Sequence, residues 1–356
     1  MNPYFSKILI DWYAQNHRNL PWRETRDPYR IWISEIILQQ TRVIQGYDYF
    51  LRFVHRFPDV ESLARASQDD VLLMWQGLGY YSRARNLHKA ARSIAEMGTF
   101  PSDYEAIRAL PGIGDYTAAA IASFAFDQPH AVLDGNVYRI LSRFLGIDTP
   151  IDTSAGHKLF RALAYEMLDI HQPAIYNQAI MDFGALVCTP HPSCQQCPLV
   201  DSCSAFRQGV TENLPVKSHR TKVRQRPLVY VLFRSQGHVL IHRRSAGDIW
   251  QGLYEPFLLE PSADGLPPLY DQLLAVFPSA RQLVVAKKHQ LSHQLLLADL
   301  FVVTDLERLQ VDNLLAHHYA QTFCQANYQW VPESSLGDYA APRLVLDLYK
   351  KVNFCE

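Results

Sequence analysis

LPGIGDYTAAA occupies residues 110–120 and gives the clearest prediction of local structure in the chain. Gly112 and Gly114 flank one aliphatic residue, so the backbone can turn tightly and leave its N–H groups exposed. A helix beginning near Tyr116 would point its N-terminus in the same direction. Together these groups would form a binding site for a phosphate. A lone Gly-Ile-Gly would fit an ordinary turn between two helices equally well, but the full string is more specific.

The sequence on both sides of this turn shows helical periodicity. Apolar residues recur at spacings of three and four, and loops rich in proline, glycine and aspartate separate the segments. These segments are Tyr29–Gln40, Val71–Trp75, Ser82–Met97, Thr117–Ala125, Val137–Leu145 and His157–Leu168. We therefore predict an all-α domain over residues 1–203.

The pattern changes after residue 203. Residues 204–226 are basic, carry a single acid, Glu212, and have no apolar period, so we predict a linker that could also contact DNA phosphates. Beyond it, PLVYVLF and HVLIHRR flank the turn SQG and predict a β-hairpin. Further strands are predicted at Leu253–Leu259, Gln294–Val303 and Tyr328–Val331, with helices near Leu269–Phe277 and Ala340–Tyr349. Residues 227–356 are thus predicted to form an α+β domain.

The composition narrows the class of protein. The chain has 356 residues, of which 48% are hydrophobic, which suits two domains with cores of their own. The formal net charge is -1, so binding to nucleic acid would depend on a local basic patch. No apolar run is long enough to span a bilayer, and the N-terminus lacks a signal-peptide pattern. We expect a monomeric cytoplasmic protein with no membrane partner.

Two carboxylates are candidates for chemistry. Glu35 lies within the apolar string IWISEIILQQT, where desolvation should raise its pKa and keep it protonated near neutral pH. Asp134 precedes a helix beginning near Val137, whose N-terminus should keep this carboxylate ionised. Cleavage of a glycosidic bond needs one acid of each kind. A buried structural glutamate and a simple helix cap would explain the two residues separately.

Four of the six cysteines are Cys188, Cys194, Cys197 and Cys203. Four thiolates in so short a loop predict a metal site and not disulfides. Their spacing alone does not distinguish structural zinc from an iron–sulfur cluster.

A family resemblance connects these features. W-x-S-E-x-x-L-Q-Q-T, GLGYYSRARNL, LPGIGDYTAAA and LDGNV occur here in the order found in MutY-type adenine DNA glycosylases. The chain is similar to that family, within the helix-hairpin-helix superfamily of endonuclease III, over about its first 200 residues and more thinly beyond. The resemblance implies a helical glycosylase domain with an iron–sulfur loop, followed by a Nudix-like α+β domain that recognises 8-oxoguanine. It also implies excision of adenine mispaired with 8-oxoguanine or guanine in double-stranded DNA.

The resemblance also implies roles for single residues. Glu35 would protonate adenine N7, Asp134 would stabilise the oxocarbenium ion, and Asn136 and Tyr116 would support Asp134 and the sugar. Tyr116 occupies the position where the lyase members carry a lysine, and a tyrosine cannot form a Schiff base with the sugar. The resemblance therefore favours a glycosylase without lyase activity.

Other positions match binding residues of the family. The adenine pocket would be lined by Arg18, Trp22, Arg23, Leu38 and Gln178. Gln40 and Tyr80 would fill the gap that the extruded base leaves in the helix stack, while Gly112 and Gly114 would hold a phosphate. Core packing would explain Trp22 and Leu38 equally well.

Two departures from the family pattern concern the cofactor and the recognition loop. The family has six residues between its first two cysteines, and this chain has five, CTPHPSC. The resemblance still implies a [4Fe–4S] cluster. In the C-terminal domain, Leu291-Ser292-His293 stands where the family has an F-S-H loop for 8-oxoguanine. Leu291 can wedge between bases but stacks less well than an aromatic ring.

Two other functions remain as alternatives. An endonuclease III-like glycosylase/lyase for oxidised pyrimidines is disfavoured by Tyr116 and by the C-terminal domain. A non-catalytic DNA-damage binding protein with structural zinc is disfavoured by the joint presence of Glu35 and Asp134.

Overall fold

A computed structural model describes residues 3–218, 223–259, 269–320, 327–352 and 354. The chain divides into two compact units. The first comprises Met1–Arg65 and Asn86–Arg220, and the second comprises Ala66–Arg85 and Thr221–Glu356. This grouping differs from the division at residues 203 and 226 that the sequence suggests, because residues 66–85 belong to the second unit.

The first unit is helical, and so is much of the segment 66–85, which interrupts it in sequence and belongs to the second unit. The helices are α1 (Pro3–Asn16), α2 (Pro28–Leu38), α3 (Val43–Arg56), α4 (Val60–Arg65), α5 (Gln68–Met74), α6 (Ser82–Met97), α7 (Tyr104–Arg108), α8 (Asp115–Phe126), α9 (Gly135–Leu145), α10 (Ser154–Met167), α11 (Pro173–Leu186) and α12 (Ser204–Arg207). The second unit contains α5 and the start of α6.

Local sequence explains why α2 forms where it does. Asp27 caps its N-terminus by accepting a hydrogen bond from the Tyr29 backbone N–H at 2.9 Å, and Pro28 supplies the fixed φ that suits the first turn. Every residue from Ile31 to Ile37 is buried. An apolar helix of this kind is a core element, so any polar side chain on it is held away from water.

The two glycines of the predicted phosphate-binding turn differ in conformation and in the space around them. Gly112 has φ +77°, and a Cβ there would lie 2.6 Å from Cβ of Asn86. Gly114 is the N-cap of α8 with φ -98°, and a Cβ there would meet open space. Gly112 is therefore required by the fold, whereas Gly114 leaves the N-terminus of α8 uncovered.

A six-stranded mixed sheet forms the centre of the second unit. Its strands lie in the order β4-β5-β1-β3-β2-β6, and β1 is parallel to β5 while the other neighbours are antiparallel. The strands are β1 (Arg224–Ser235), β2 (His238–Arg243), β3 (Tyr254–Leu259), β4 (Arg281–Gln290), β5 (Gln294–Val303) and β6 (Tyr328–Pro332). Within the described part of the unit, the helices beside the sheet are α13 (Leu269–Val276), α14 (Arg308–His318) and α15 (Arg343–Tyr349).

The central strand β1 is buried on both faces, which explains its uninterrupted apolar run. Leu228, Tyr230 and Leu232 belong to a core that includes residues of α15. Val229, Val231 and Phe233 point into a second core with residues of α13 and α14. One sheet therefore carries two hydrophobic layers.

The predicted hairpin is confirmed, since β1 and β2 pair antiparallel with Arg234 opposite Val239. In the C-terminal domain, the prediction missed the strand β4, most of whose residues are exposed, and the helix α14. The predicted linker also has structure, because α12 lies within it, Leu214 is buried and β1 starts at Arg224. Among the described residues, no helix has the length and apolar character needed to cross a membrane.

Candidate active site

Both predicted catalytic carboxylates lie in one cavity of the first unit, which we call the carboxylate pocket. Its volume is about 420 Å³. Its lining includes Glu35, Tyr116, Asp134, Asn136, Arg18, Trp22, Arg23, Leu38 and Gln178. Residues from five separate parts of the chain thus meet at one site, as the sequence predicts.

Glu35 is 7% exposed, on the buried helix α2. Burial raises the pKa of its carboxyl from 4.5 to about 7, because the apolar surroundings penalise the charged form. A hydrogen bond with Tyr116 and the charge of Arg23 oppose that shift, while the charge of Asp134 adds to it. Near neutral pH, Glu35 can therefore carry a proton and release it.

Tyr116, in the first turn of α8, is the immediate neighbour of Glu35. Its hydroxyl is hydrogen-bonded to the Glu35 carboxyl and lies 3.2 Å from Sδ of Met181. Burial, together with the two nearby carboxylates, raises the pKa of Tyr116 well above its usual value, so this phenol keeps its proton. It can donate a hydrogen bond but offers no amine.

Asp134 is the N-cap of α9 and accepts three hydrogen bonds. Its Oδ1 accepts from the backbone N–H groups of Asn136 and Val137, both at 2.9 Å, and its Oδ2 accepts from Nδ2 of Asn136 at 2.9 Å. Burial raises the pKa of Asp134 in spite of these donors. The predicted cap is present, but the helix N-terminus does not outweigh the cost of desolvation.

Arg139 connects Asp134 to the cysteine loop, and the sequence analysis missed it. Its Nη2 donates to Oδ1 of Asn136 at 2.8 Å and to the Gly184 carbonyl at 2.7 Å. Its Nε donates to the Cys188 carbonyl at 2.7 Å. A Cβ at Gly184 would lie 2.5 Å from Cβ of Asn136, so this glycine allows α9 and α11 to pack closely.

Asp182, also missed, anchors two of the predicted pocket arginines. It is fully buried and accepts from Nε of Arg18 at 2.8 Å and from Nη2 of Arg23 at 2.7 Å. Burial would raise the pKa of Asp182, but the two guanidinium groups lower it. Arg18 and Arg23 are therefore held by an ion pair at the rim of the pocket. No local motif marks Asp182, because its partners lie more than 150 residues earlier in the chain.

The remaining pocket residues differ in exposure. Trp22 is buried and packs edge-on against Phe50, with ring centroids 5.1 Å apart. Leu38 is half-buried at the end of α2. Oε1 of Gln178 accepts a hydrogen bond from the Tyr13 hydroxyl at 2.7 Å, which fixes the orientation of its amide. The pocket thus presents an apolar wall and an oriented amide.

The four cysteines lie along a loop between α11 and α12 and are half-buried free thiols. Burial raises the pKa of Cys197 to about 11, and the charges of Cys188, Cys203 and Cys194 add to the shift. Nη1 of the buried Arg143 donates to Sγ of Cys188 at 3.6 Å. Within the described ranges, no three His, Cys, Asp or Glu side chains are arranged to hold a metal ion. Four soft thiols are a donor set that suits zinc or an iron–sulfur cluster, so the residue types fit such a group although the side chains are not arranged around a metal.

A second cavity lies within the second unit, and we call it the aromatic cavity. Its volume is about 460 Å³. Leu291, Ser292 and His293, the turn between β4 and β5, line it together with Tyr80 and Trp250. Ser292 Oγ lies 3.3 Å from Nδ1 of His293. The predicted recognition string and the predicted stacking residue Tyr80 therefore share one cavity.

Gln40 and Tyr80, the predicted helix-filling residues, have unusual backbones. Gln40 has φ +58° and is exposed after the end of α2. Tyr80 has φ +47° and is 51% exposed, with the Arg83 guanidinium 5.4 Å from its ring centroid. Left-handed backbone at residues other than glycine costs energy and is concentrated at ligand-binding sites.

Comparison with known proteins agrees with this geometry. Residues 33–163 match the HhH-GPD superfamily base excision DNA repair protein family, and residues 228–351 match the NUDIX domain. The solved structure of a thermostable thymine-DNA glycosylase, 28% identical, covers 58% of this chain and 96% of its own with a TM-score of 0.54. An endonuclease III–DNA complex, 21% identical, covers 58% of this chain and 95% of its own with a TM-score of 0.50. The predicted fold class is confirmed.

A curated relative identifies the family. The adenine DNA glycosylase of Buchnera aphidicola subsp. Schizaphis graminum (strain Sg) is 38% identical over 254 residues, which are 70% of this chain and 73% of that protein. The predicted enzyme class, a DNA N-glycosylase, is confirmed by the same match. The chain therefore belongs to the adenine DNA glycosylase family of base excision repair enzymes.

Proposed function

We propose that this enzyme hydrolyses the N-glycosidic bond of adenine paired with 8-oxoguanine, or with guanine, in double-stranded DNA. The observation that carries the proposal is the carboxylate pocket. It holds one acid with a pKa of about 7 and a second that accepts three hydrogen bonds. Two carboxyl groups with different environments are what protonation of a leaving base and stabilisation of a sugar cation require.

The chemistry follows from the two environments. Adenine is a poor leaving group until its ring is protonated, and Glu35 has a proton to give near neutral pH. As the C1′–N9 bond breaks, positive charge develops on the sugar, and Asp134 supplies the opposing negative charge. Asn136 keeps Asp134 in place through the 2.9 Å bond from its Nδ2. Water then completes the hydrolysis.

The rest of the carboxylate pocket suits a purine. Trp22 and Leu38 supply an apolar wall, and Gln178 supplies an amide whose orientation is fixed by Tyr13. The Arg18–Asp182–Arg23 ion pair shapes the rim. Adenine reaches such a pocket only when it is rotated out of the duplex, and a mispair lowers the cost of that step.

Tyr116 limits the reaction to base removal. It is hydrogen-bonded to Glu35 and stands where the lyase members of the superfamily carry a lysine. A phenol that keeps its proton forms no Schiff base, so the abasic product is released without strand cleavage. We therefore infer a glycosylase without lyase activity.

The opposite base is recognised in the aromatic cavity. Ser292 and His293 offer a hydroxyl and an imidazole, which can pair with the edge of an oxidised purine, and Leu291 and Tyr80 offer apolar surface. We propose that this cavity distinguishes 8-oxoguanine from guanine. The enzyme acts as a monomer in this proposal, with the damaged duplex as its partner.

The cysteine loop holds a [4Fe–4S] cluster in this proposal, with Cys188, Cys194, Cys197 and Cys203 as ligands. When bound, the cluster would cross-link the loop through the four cysteine sulfur atoms. Arg139 and Arg143 place positive charge beside Cys188. They offset the negative charge of the thiolates and link the loop to Asn136.

A single-turnover assay on a duplex with one central 8-oxoguanine:adenine pair tests the proposal, with products separated before and after alkali. We expect breaks in the adenine strand only after alkali. Breaks without alkali would contradict the assignment of Tyr116. Tight binding without loss of adenine would show that the chain only binds damaged DNA.

A further inference from the structure

The aromatic cavity has two exposed or half-exposed ring systems that can stack on a base. Tyr80 is 51% exposed, and Trp250 is half-buried, whereas Tyr81 is buried and so cannot stack on a ligand. The turn between β4 and β5 contributes Leu291, an aliphatic side chain. Tyr80 and Trp250 are therefore the aromatic side chains on which a flat ligand next to Ser292 and His293 could stack.

Trp250 is held in a conformation that tryptophan rarely adopts. Its φ is +61°, in the left-handed region that is energetically costly for a bulky residue. The other strained residue of the cavity is Tyr80, with φ +47°. Both rings of one cavity thus sit on strained backbone, which is concentrated at ligand clamps, and Trp250 also packs against the edge of the hydrophobic core that includes α15.

A set of backbone hydrogen bonds fixes the segment 248–253 that carries Trp250. The Leu253 N–H donates to the Trp250 carbonyl at 3.0 Å, and the Gly252 N–H donates to the Arg244 carbonyl at 2.9 Å. Arg85 donates from Nη1 to the Gln251 carbonyl at 2.8 Å. These bonds hold the chain that follows Trp250, so they help to maintain its strained conformation.

A buried charge cluster anchors the same segment. Nη1 of Arg244 donates to the fully buried Glu255 at 2.6 Å, and its Nε donates to the Ile249 carbonyl at 3.0 Å. Arg244 also pairs with Asp248, which Arg226 binds through both carboxylate oxygens at 2.7 and 2.5 Å. The segment is therefore tied to the sheet by ionic contacts on one side of the ring.

The ring itself faces the recognition turn. The centroid of Trp250 lies 6.0 Å from that of His289 at an interplanar angle of 65°, and His289 comes just before the turn. In an edge-to-face pair the two rings do not stack on each other, so this contact covers at most one face of the indole. The indole is thus prepositioned beside Leu291, Ser292 and His293.

We propose that Trp250 is a specificity-determining residue that stacks on the 8-oxoguanine base opposite the excised adenine. The inference rests on the proposed function of the aromatic cavity. Ser292 and His293 contact the base edge, and the indole of Trp250 supplies the ring contact that the aliphatic Leu291 supplies only weakly. Stacking on an aromatic side chain contributes about 1–3 kcal/mol per base. Guanine can stack as well, so the ring adds to the preference through Ser292 and His293, which seat the oxidised base against it, and the contribution is about 5- to 150-fold when guanine is not seated in this way.

The test compares Trp250→Phe and Trp250→Leu in the full-length, cofactor-loaded enzyme. Single-turnover rates and affinities are measured on 8-oxoguanine:adenine and guanine:adenine duplexes. We expect the leucine variant to lose at least about fivefold of the wild-type preference for 8-oxoguanine. The phenylalanine variant should keep most of it, because it retains a ring. Leu291→Phe added to the leucine variant should restore part of the loss.

A leucine variant with the wild-type preference overturns the proposal, and so does an equal loss in both variants, since that marks a packing role. Val285→Ala, at a residue that is 73% exposed on β4, is the control and should match the wild type. A wild type that does not distinguish the two duplexes would refute lesion recognition itself, before any variant is compared.

Discussion

The two cavities of this enzyme differ in the side chains that line them and in how those side chains are held. The carboxylate pocket buries ionisable groups, and its central residue, Glu35, has its pKa raised to about 7. The aromatic cavity places rings and a serine–histidine turn on strained but well-anchored backbone. In the first cavity, burial changes protonation. In the second, hydrogen bonds to the backbone hold the shape.

Substitutions in the two cavities should therefore change different measured quantities. Chemistry depends on the charge state of single groups, so replacing one of them should cost orders of magnitude in rate. Recognition is a sum of moderate contacts, each worth a few kcal/mol. Variants of the carboxylate pocket should therefore affect all substrates equally, and variants of the aromatic cavity should affect the difference between substrates.

The largest effect is expected for Glu35→Gln. The amide has the shape of the acid but has no acidic proton to give, so adenine release should fall on the order of 10²–10⁴-fold. Binding of the mispaired duplex should persist. Single-turnover rates and a binding titration measure the two quantities. Glu24→Gln, at an exposed glutamate of the same unit, is the matched control. A fully active Glu35→Gln variant would show that the assigned acid is wrong.

Asp182→Asn should chiefly affect stability. Asp182 is fully buried between Arg18 and Arg23, and its removal leaves two guanidinium groups without their anion. Losing one partner of a buried ion pair costs about 3–5 kcal/mol. Urea unfolding followed by circular dichroism measures the change. A variant with wild-type stability would mean that water replaces the carboxylate at no cost.

The pH dependence of stability should identify Glu35 directly. Its folded pKa is about 7 and its ordinary value is 4.5, so the folded state binds this proton more tightly than the unfolded state. The contribution of Glu35 to stability is therefore largest below pH 4.5 and declines as the pH rises towards 7. Above pH 7, Glu35→Gln should be more stable than the wild type by at most about 3 kcal/mol. Melting curves of both proteins at pH 5 and pH 8.5 should diverge at the higher pH. A constant difference would contradict the assigned pKa.

The smallest effect is expected for Ser292→Ala combined with His293→Ala. Loss of the edge contacts should reduce the preference for 8-oxoguanine over guanine by about 1–3 kcal/mol. The rate on guanine:adenine should change little, because the carboxylate pocket is untouched. Rates on the two duplexes provide the check. An equal loss on both would place these residues in binding of the DNA backbone.

The sequence predicted the parts of the site that depend on local strings. Glu35 is marked by its apolar helix, Asp134 by its position before α9, and the cysteines by their spacing. Fold class and the hairpin of β1 and β2 also follow from periodicity. Glu35, Asp134, the cysteines and the hairpin can each be identified from a single continuous stretch of sequence.

The missed features depend on contacts between distant parts of the chain. Asp182 has no unusual neighbours in sequence, and its role as the anion that binds Arg18 and Arg23 is visible only in the folded chain. Arg139 resembles an exposed helical arginine until Gly184 allows α11 to approach. The strand β4 has mostly exposed residues and two register shifts, so no alternation marks it. Such features need the folded chain.

Single-turnover rates of Glu35→Gln and of the double variant Ser292→Ala/His293→Ala on both duplexes test most directly whether chemistry and recognition are separate. We expect the rate of Glu35→Gln to fall by the same factor on 8-oxoguanine:adenine and on guanine:adenine. The double variant should lose mainly the preference for 8-oxoguanine:adenine over guanine:adenine. The reverse pattern, with preference lost in Glu35→Gln and overall rate lost in the double variant, would contradict the separation of chemistry from recognition.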